Sequence, residues 1–141
     1  MIRQFIFPFV LLGVIAFAGC GGGVQLHGTV TFDDGSPVDT GTVCFVSSGS
    51  SGMARGDLQS DGTYILSTNK PGDGVLPGTY NVYLINTEKV EQIPLGGSGD
   101  FTEKTSQTVN AKYTSSNSGI TCTVDRSTKT FDFQVERYKK K

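Results

Sequence analysis

The chain has 141 residues, with 12 Lys and Arg residues against 13 Asp and Glu residues and a formal net charge of −1 at pH 7. A balance so close to neutral, with the basic residues scattered, excludes the broad basic face that nucleic-acid binding requires. The 19 glycines, the many Ser and Thr residues and the absence of tryptophan are typical of a β-rich protein with many turns. The length allows one domain with one modest core.

The first twenty residues have the pattern of a targeting segment. Arg3 supplies a positive charge, an apolar run extends from Phe5 to Phe17, and small residues then lead to Cys20. This is the organisation of a secretory signal peptide, and the apolar run is short and poorly flanked for a membrane span. An uncleaved amphipathic or transmembrane N-terminus is the alternative. The pattern favours export of the chain from the cytoplasm.

Ala16-Phe17-Ala18-Gly19-Cys20 resembles the lipobox of bacterial lipoproteins, in which the cysteine is acylated and the chain is cut just before it. The resemblance implies a signal peptide over 1–19 and a lipidated cysteine with a glycine tether over 20–23. It also implies a diacylglyceryl group and an amide-linked acyl chain such as palmitate, and two or more chains anchor stably where one does not. Since Gly21 and not Asp follows the cysteine, the outer membrane or cell surface is the expected location.

Alternation of apolar and polar residues predicts seven short strands after the tether. In the first strand Leu26, Val30 and Phe32 share one face, while His27 and Thr29 lie on the other. The predicted strands cover 24–32, 42–47, 53–58, 64–66, 79–86, 119–124 and 131–135. No helix is predicted, so the pattern indicates an all-β, antiparallel sandwich over residues 24–136.

Three features of these strands lead to more specific predictions. Strand 42–47 is apolar on both faces, which indicates a central position in its sheet. Asp61-Gly62 is a hairpin signal between the third and fourth strands. Tyr64 and Tyr80 lie on inward faces, where we expect their hydroxyls to reach backbone partners at the rim of the sandwich.

Two stretches fall outside the strand pattern. From Thr87 to Lys112 the sequence is polar and without a sustained period, which predicts a long loop near 87–112. Loops of this length are usually functional or mobile. Residues 137–141 form a basic tail, which we expect to be solvated with some affinity for anionic surfaces.

Several stretches together resemble carboxypeptidase regulatory-like domains. They are Gly28–Phe32, Asp34–Val38, Thr42–Val46, Ser60–Leu66 and Leu76–Val82. The leader, with Lys112-Tyr113, Ser118–Thr121 and Phe131–Phe133, is similar to small planctomycete-type lipoproteins that contain such a domain. The resemblance implies a seven-stranded, antiparallel immunoglobulin-like sandwich of the transthyretin (prealbumin) type, and it implies no catalysis.

The three cysteines stand at positions 20, 44 and 122. With Cys20 assigned to lipid, Cys44 and Cys122 are an even pair in an oxidising compartment, where a disulfide is one interpretation. The other is two buried free thiols that behave as small apolar residues. A bond is excluded if the two Cα atoms lie more than about 7 Å apart.

No residue pattern indicates catalysis, a cofactor or a metal site. His27 is the only histidine, lies on the polar face of a strand and has no G-x-S-x-G partner motif, so a serine hydrolase is disfavoured. One histidine without paired cysteines also disfavours zinc. Several loop carboxylates are weak evidence for a calcium site, because calcium takes oxygen ligands. Asp side chains in turns, however, usually bind the backbone of the turn. Those carboxylates are Asp33, Asp34, Asp39, Asp61 and Asp73.

The expected function is therefore non-enzymatic. We expect a lipid-anchored cell-envelope domain, reaching the membrane through Cys20, that is structural or binds a protein or polysaccharide partner. The candidate contact surface is the segment 87–112. The alternative is a small-ligand carrier of the transthyretin kind, which needs an apolar cleft with convergent polar groups.

Overall fold

The computed structural model describes residues 22–49, 52–97 and 99–140. The predicted signal peptide 1–19 and the predicted lipid site Cys20 lie outside the described residues. In the described part the protein is all-β, with nine strands and one short 3₁₀ turn, Ala111–Tyr113. The strands are β1 His27–Phe32, β2 Thr42–Ser47, β3 Met53–Asp57, β4 Thr63–Ile65, β5 Gly78–Ile85, β6 Glu88–Leu95, β7 Asp100–Gln107, β8 Ile120–Val124 and β9 Phe133–Val135. No helix in these ranges has the length and apolarity to span a membrane.

The strands form three open sheets, with orders β4-β1-β9, β3-β2-β5-β8 and β6-β7. Six strand pairs make up these sheets, and five of them are antiparallel. The exception is β1 with β9, where Val30 pairs with Phe133 in parallel register. The prediction of antiparallel sheets is therefore right except at this pair, because the chain crosses from β8 to the other sheet before β9 begins.

Seven of the nine strands lie where the alternation predicted them. Val30 and Phe32 of β1 are buried together with Val82 and Leu84 of β5, as expected for side chains at every second position. β2 pairs on both sides, with β3 and β5, which confirms the central position inferred from its two apolar faces.

The core lies between the three-stranded and the four-stranded sheet and takes side chains from both. At its centre Phe45 of β2 packs against three rings, with centroid distances of 6.5 Å to Tyr64, 5.9 Å to Tyr80 and 5.8 Å to Phe131. Aromatic pairs at such separations add to the area that they bury. The protein thus has a sandwich-like all-β core with an aromatic centre.

Both inward tyrosines find backbone partners, as predicted. The Tyr64 hydroxyl donates to the Phe131 carbonyl at 2.6 Å, and the Tyr80 hydroxyl donates to the Leu76 carbonyl at 2.8 Å. Burial raises the pKa of both phenols. Each ring is therefore held by packing and by one hydrogen bond at the edge of the core.

The Asp61-Gly62 turn is tight and joins β3 and β4 in a short hairpin, as predicted, since the Gln59 N–H donates to the Thr63 carbonyl and Arg55 and Ser67 form an antiparallel bridge. Gly62 has φ of +80°, and its N–H donates to the Gln59 carbonyl at 2.9 Å. Away from the turn, β3 forms its ladder with β2, whereas β4 pairs with β1 in the other sheet. A side chain at position 62 would also meet the Val30 carbonyl. The turn therefore carries the chain from one sheet to the other.

The predicted long loop near 87–112 is wrong over most of its length, because β6 and β7 pair through it as an antiparallel hairpin from Glu88 with Gln107 to Leu95 with Asp100. The hairpin has no clean alternation, since the apolar residues change face between Val90 and Ile93. Pro94 further weakens the strand signal.

Of the two interpretations of Cys44 and Cys122, the structure agrees with the free thiols and contradicts the disulfide, because both cysteines are buried and unbonded. Cys44 lies opposite Tyr83 on one side of β5, and Cys122 lies opposite Tyr80 on the other side. Two strand spacings amount to roughly 10 Å, beyond the reach of a disulfide. Tyr80 and Tyr83 also face opposite sides of the sheet, so the two cysteines do as well.

The predicted basic tail begins inside the packed region. The Arg137 guanidinium lies 3.9 Å from the centroid of the Phe32 ring, and its Nε donates to Asp34 Oδ2 at 3.2 Å. The Tyr138 N–H donates to the Thr108 carbonyl at 2.9 Å. Packing against the domain thus continues to residue 138.

Candidate interaction surface

The β6-β7 hairpin is firmly attached at its base. Thr87 and Val109, which flank the two strands, are buried, and the Thr108 hydroxyl donates to the Thr87 carbonyl. Lys89 Nζ lies 2.8 Å from Asp39 Oδ2. The Lys89 hydrogen bond lowers the pKa of the Asp39 carboxyl. These contacts fix where the hairpin leaves the domain.

Beyond its base the hairpin is exposed on both strands. Its large apolar side chains are exposed by 57% at Val90, 40% at Ile93, 51% at Leu95 and 61% at Phe101. An isolated two-stranded ribbon is marginally stable in water, and clustered exposed apolar groups mark contact surfaces. We call Glu88–Leu95 and Asp100–Gln107 the hairpin surface.

The cross-strand register divides the hairpin surface into two faces. Pro94 lies opposite Phe101 on one face, while Leu95 lies opposite Asp100 on the other. Ile93 shares the face of Leu95 because side chains two positions apart point the same way. Both faces of the half nearest the turn therefore present apolar groups to solvent.

The start of the described chain is bonded to the segment that leads into β5, and the hairpin surface follows the end of that strand. The Val24 N–H donates to the Val75 carbonyl at 2.7 Å, three residues before β5 begins at Gly78. β5 then has eight residues, which span roughly 25 Å, and it ends at Ile85, shortly before the hairpin begins.

Two clefts bear on the alternative of a small-ligand carrier. One, of about 490 Å³, lies over the outward face of β1 and β4 and is lined by His27, Thr29, Ile65 and Asp132 among others. The other, of about 420 Å³, adjoins Arg55. The space between the sheets is filled by the aromatic core, and every buried side-chain nitrogen or oxygen of the described residues has a hydrogen-bond partner. The interior therefore offers no unpaired group to a ligand.

Three of the five loop carboxylates considered for calcium, Asp34, Asp61 and Asp73, accept backbone N–H groups of their own turns. Asp73 accepts the N–H groups of Thr68, Asn69 and Lys70 at 2.7, 2.8 and 3.0 Å. Asp61 accepts the Thr63 N–H at 3.0 Å. Within the described ranges no three His, Cys, Asp or Glu residues come together as metal ligands. These carboxylates therefore support turn geometry, as their sequence context suggested.

These hydrogen bonds predict a loss of stability in acid. Bonds from Ser36, aided by Arg137, lower the pKa of Asp34 from 3.8 to about 2, and those of Asp61 and Asp73 are lowered in the same way. The unfolded chain then binds more protons than the native protein, so the free energy of unfolding falls as the pH drops through this range.

We expect denaturant titrations to give a constant free energy of unfolding well above pH 3.8 and a decreasing one towards about pH 2. Asp34→Asn is expected to show a smaller decrease than the parent chain, because it removes one of the shifted groups. Constant stability down to about pH 2 would contradict this assignment of the carboxylates.

No family model, no curated protein and no solved structure matches this chain. The similarity to carboxypeptidase regulatory-like domains therefore remains a prediction carried by short motifs. The functional argument rests on the hairpin surface and its position in the fold.

Proposed function

We propose that this chain is a non-enzymatic, lipid-anchored cell-envelope domain that contacts a protein or polysaccharide partner through the hairpin surface. The observation that carries the proposal is the exposure of four large apolar side chains, at Val90, Ile93, Leu95 and Phe101, on one ribbon. Solvation of that apolar area is unfavourable, and a partner that covers it removes the cost.

The short tether sets where an anchored domain would sit. Few residues separate Cys20 from Val24, and each extends the chain by at most about 3.5 Å. An acylated Cys20 would therefore hold the Val24 end of the domain near the outer membrane or cell surface. The hairpin surface, which follows the end of β5, would then be displayed by a domain held at the envelope.

For the fold we propose a seven-stranded immunoglobulin-like sandwich of the transthyretin type, with the hairpin as an insertion between β5 and β8. The division into sheets of three and four strands supports this. So does the bond from the Tyr80 hydroxyl to the carbonyl of Leu76, four residues upstream, which has the form of a tyrosine corner.

The anchor is tested by mass spectrometry of the full chain produced in a bacterium that processes lipoproteins. We expect cleavage before Cys20 and an acylated mature N-terminus. An uncleaved, unmodified N-terminus would overturn the anchoring.

The hairpin surface is tested by capture of partners from envelope extracts. We compare the parent chain with a variant in which the four apolar hairpin residues are replaced by serine. A matched control replaces Ile65 and Leu76, which are 64% and 57% exposed elsewhere on the surface, by serine. We expect partners to be lost from the hairpin variant alone, and identical profiles for all three chains would overturn the proposal.

A further inference from the structure

The two outer edges of the hairpin differ in their ability to accept another strand. β6 contains Pro94, which has no N–H and is tolerated in a sheet with its nitrogen towards a free edge. β7, Asp100–Gln107, contains no proline. Across the described residues neither edge is paired with a further strand. β7 therefore presents an uninterrupted row of backbone donors and acceptors, the kind of edge to which another strand adds.

The charges on β7 match a second copy of β7 in one antiparallel register. If Thr102 lies opposite Thr102 of the second copy, Asp100 lies opposite Lys104, and the two-fold axis produces this pair twice. Within each copy Lys104 already lies opposite Glu91. Glu91 and Lys104 of one copy and Asp100 of the second copy then lie side by side across the sheet, so the charges alternate in sign.

Neighbouring symmetric registers lack this match. An axis at Glu103 places the two Glu103 side chains opposite each other, and an axis at Lys104 does the same with the two lysines. Like charges directly opposite each other on adjacent strands are destabilising. The charge pattern therefore favours Thr102 over these two centres, and over Phe101, where Asp100 would lie opposite Thr102 and no charge pair would form.

We propose that the β7 edge binds a second copy of this chain, giving a continuous four-stranded sheet in the order β6-β7-β7-β6 with its two-fold axis at Thr102. The proposal rests on the hairpin surface being a contact surface, as proposed above, and names its occupant; it does not depend on the lipid anchor. The interface is isologous strand addition. It converts two marginal ribbons into one sheet of four strands, which is a more stable unit.

A cysteine placed on the axis tests the register. The Pro94 nitrogen faces the free edge of β6. The backbone groups of its cross-strand partner Phe101 therefore face the free edge of β7, and those of the next residue, Thr102, face β6. The two Thr102 residues then form a non-hydrogen-bonded pair with Cα atoms about 4.5 Å apart, within disulfide range.

We expect the full-length Thr102→Cys chain to form a covalent dimer under mild oxidation. The control is Gln92→Cys on β6. In the proposed sheet the two copies of residue 92 lie three strand spacings apart, roughly 14 Å, so we expect this chain to remain monomeric. Both variants carry Cys20→Ser, and Cys44 and Cys122 are buried in both chains, so the introduced cysteine is the reactive thiol. Equal dimer formation by the two variants would overturn the register.

A charge swap tests the Asp100–Lys104 pairs. Asp100→Lys and Lys104→Asp, each in the Thr102→Cys chain, are expected to reduce the cross-linked dimer about fivefold or more, because two attractive pairs become repulsive. When the two variants, carrying tags of different size, are mixed, the mixed dimer is expected to return to the parent level. Unchanged cross-linking of either single variant, or no recovery on mixing, would overturn the proposal.

These results separate the two proposals. If Thr102→Cys fails to cross-link while the serine-substituted hairpin still loses a captured envelope component, the occupant is another molecule and only the second-copy proposal fails. If the hairpin variant captures the same components as the parent and Thr102→Cys stays monomeric, both fail.

Discussion

Phe45→Ala is expected to lower the free energy of unfolding by about 3–5 kcal/mol. Phe45 is fully buried and contacts the rings of Tyr64, Tyr80 and Phe131, so truncation leaves a cavity that residues from both sheets would have to fill. Native domains have only about 5–15 kcal/mol of stability in total. A loss of this size would leave a measurable unfolded population in mild denaturant.

The matched control for this prediction is Phe101→Ala, the same chemical change at an exposed site on β7. We expect it to change the free energy of unfolding by less than about 0.5 kcal/mol, because the ring is largely solvated. Urea titrations of the three chains measure both values. Equal losses for Phe45→Ala and Phe101→Ala would mean that Phe45 is not at the centre of the core.

Gly28→Ala is expected to cost about 2–5 kcal/mol, the sum of overpacking and a disturbed hydrogen bond. A Cβ on Gly28 would overlap the Phe131 carbonyl and press on the Tyr64 hydroxyl. These are the two groups that form the 2.6 Å hydrogen bond. The methyl group therefore pushes β1 away from the segment that leads into β9, where the Tyr64 hydroxyl of β4 binds the Phe131 carbonyl.

The control for this substitution is Gly49→Ala, since a Cβ at Gly49 meets no atom within 4 Å. Its effect is expected to be within about 0.5 kcal/mol. Because Gly28 and Tyr64 are in contact, Gly28→Ala in a Tyr64→Phe background is expected to cost less than in the parent chain. Additive losses in denaturant titrations would show that the clash does not act through the Tyr64 hydroxyl.

The alternation of the sequence was sufficient to place seven strands and most of the core. It succeeded where one face is buried, as in β1 and β5, because burial imposes a period of two on the residue types. It could not show that β4, besides meeting β3 at the hairpin, pairs with β1 in the other sheet, since the Asp61-Gly62 turn fits both arrangements. Nor could it give the distance between Cys44 and Cys122. That distance depends on the order of the strands in the sheet, where β5 lies between β2 and β8.

The β-structure of the hairpin surface could not be predicted, for a related reason. It has no buried face, so nothing in the fold requires Val90 and Ile93 to share a side of the sheet, and the alternation is lost. The signals that remain are the exposed apolar residues near Pro94 and the Gly-rich stretch that follows. They indicated a functional segment at 87–112 but not its β-structure.

The parallel pairing of β1 with β9 has a consequence for the order in which the protein is built. Val30 lies beside Phe133, so a strand near the beginning of the chain is completed by one near its end. Contacts this distant in sequence carry a large loop-closure cost and form slowly. If the chain is threaded across a membrane from its N-terminus, β1 can pair with β4 early but with β9 only after residue 135 has crossed.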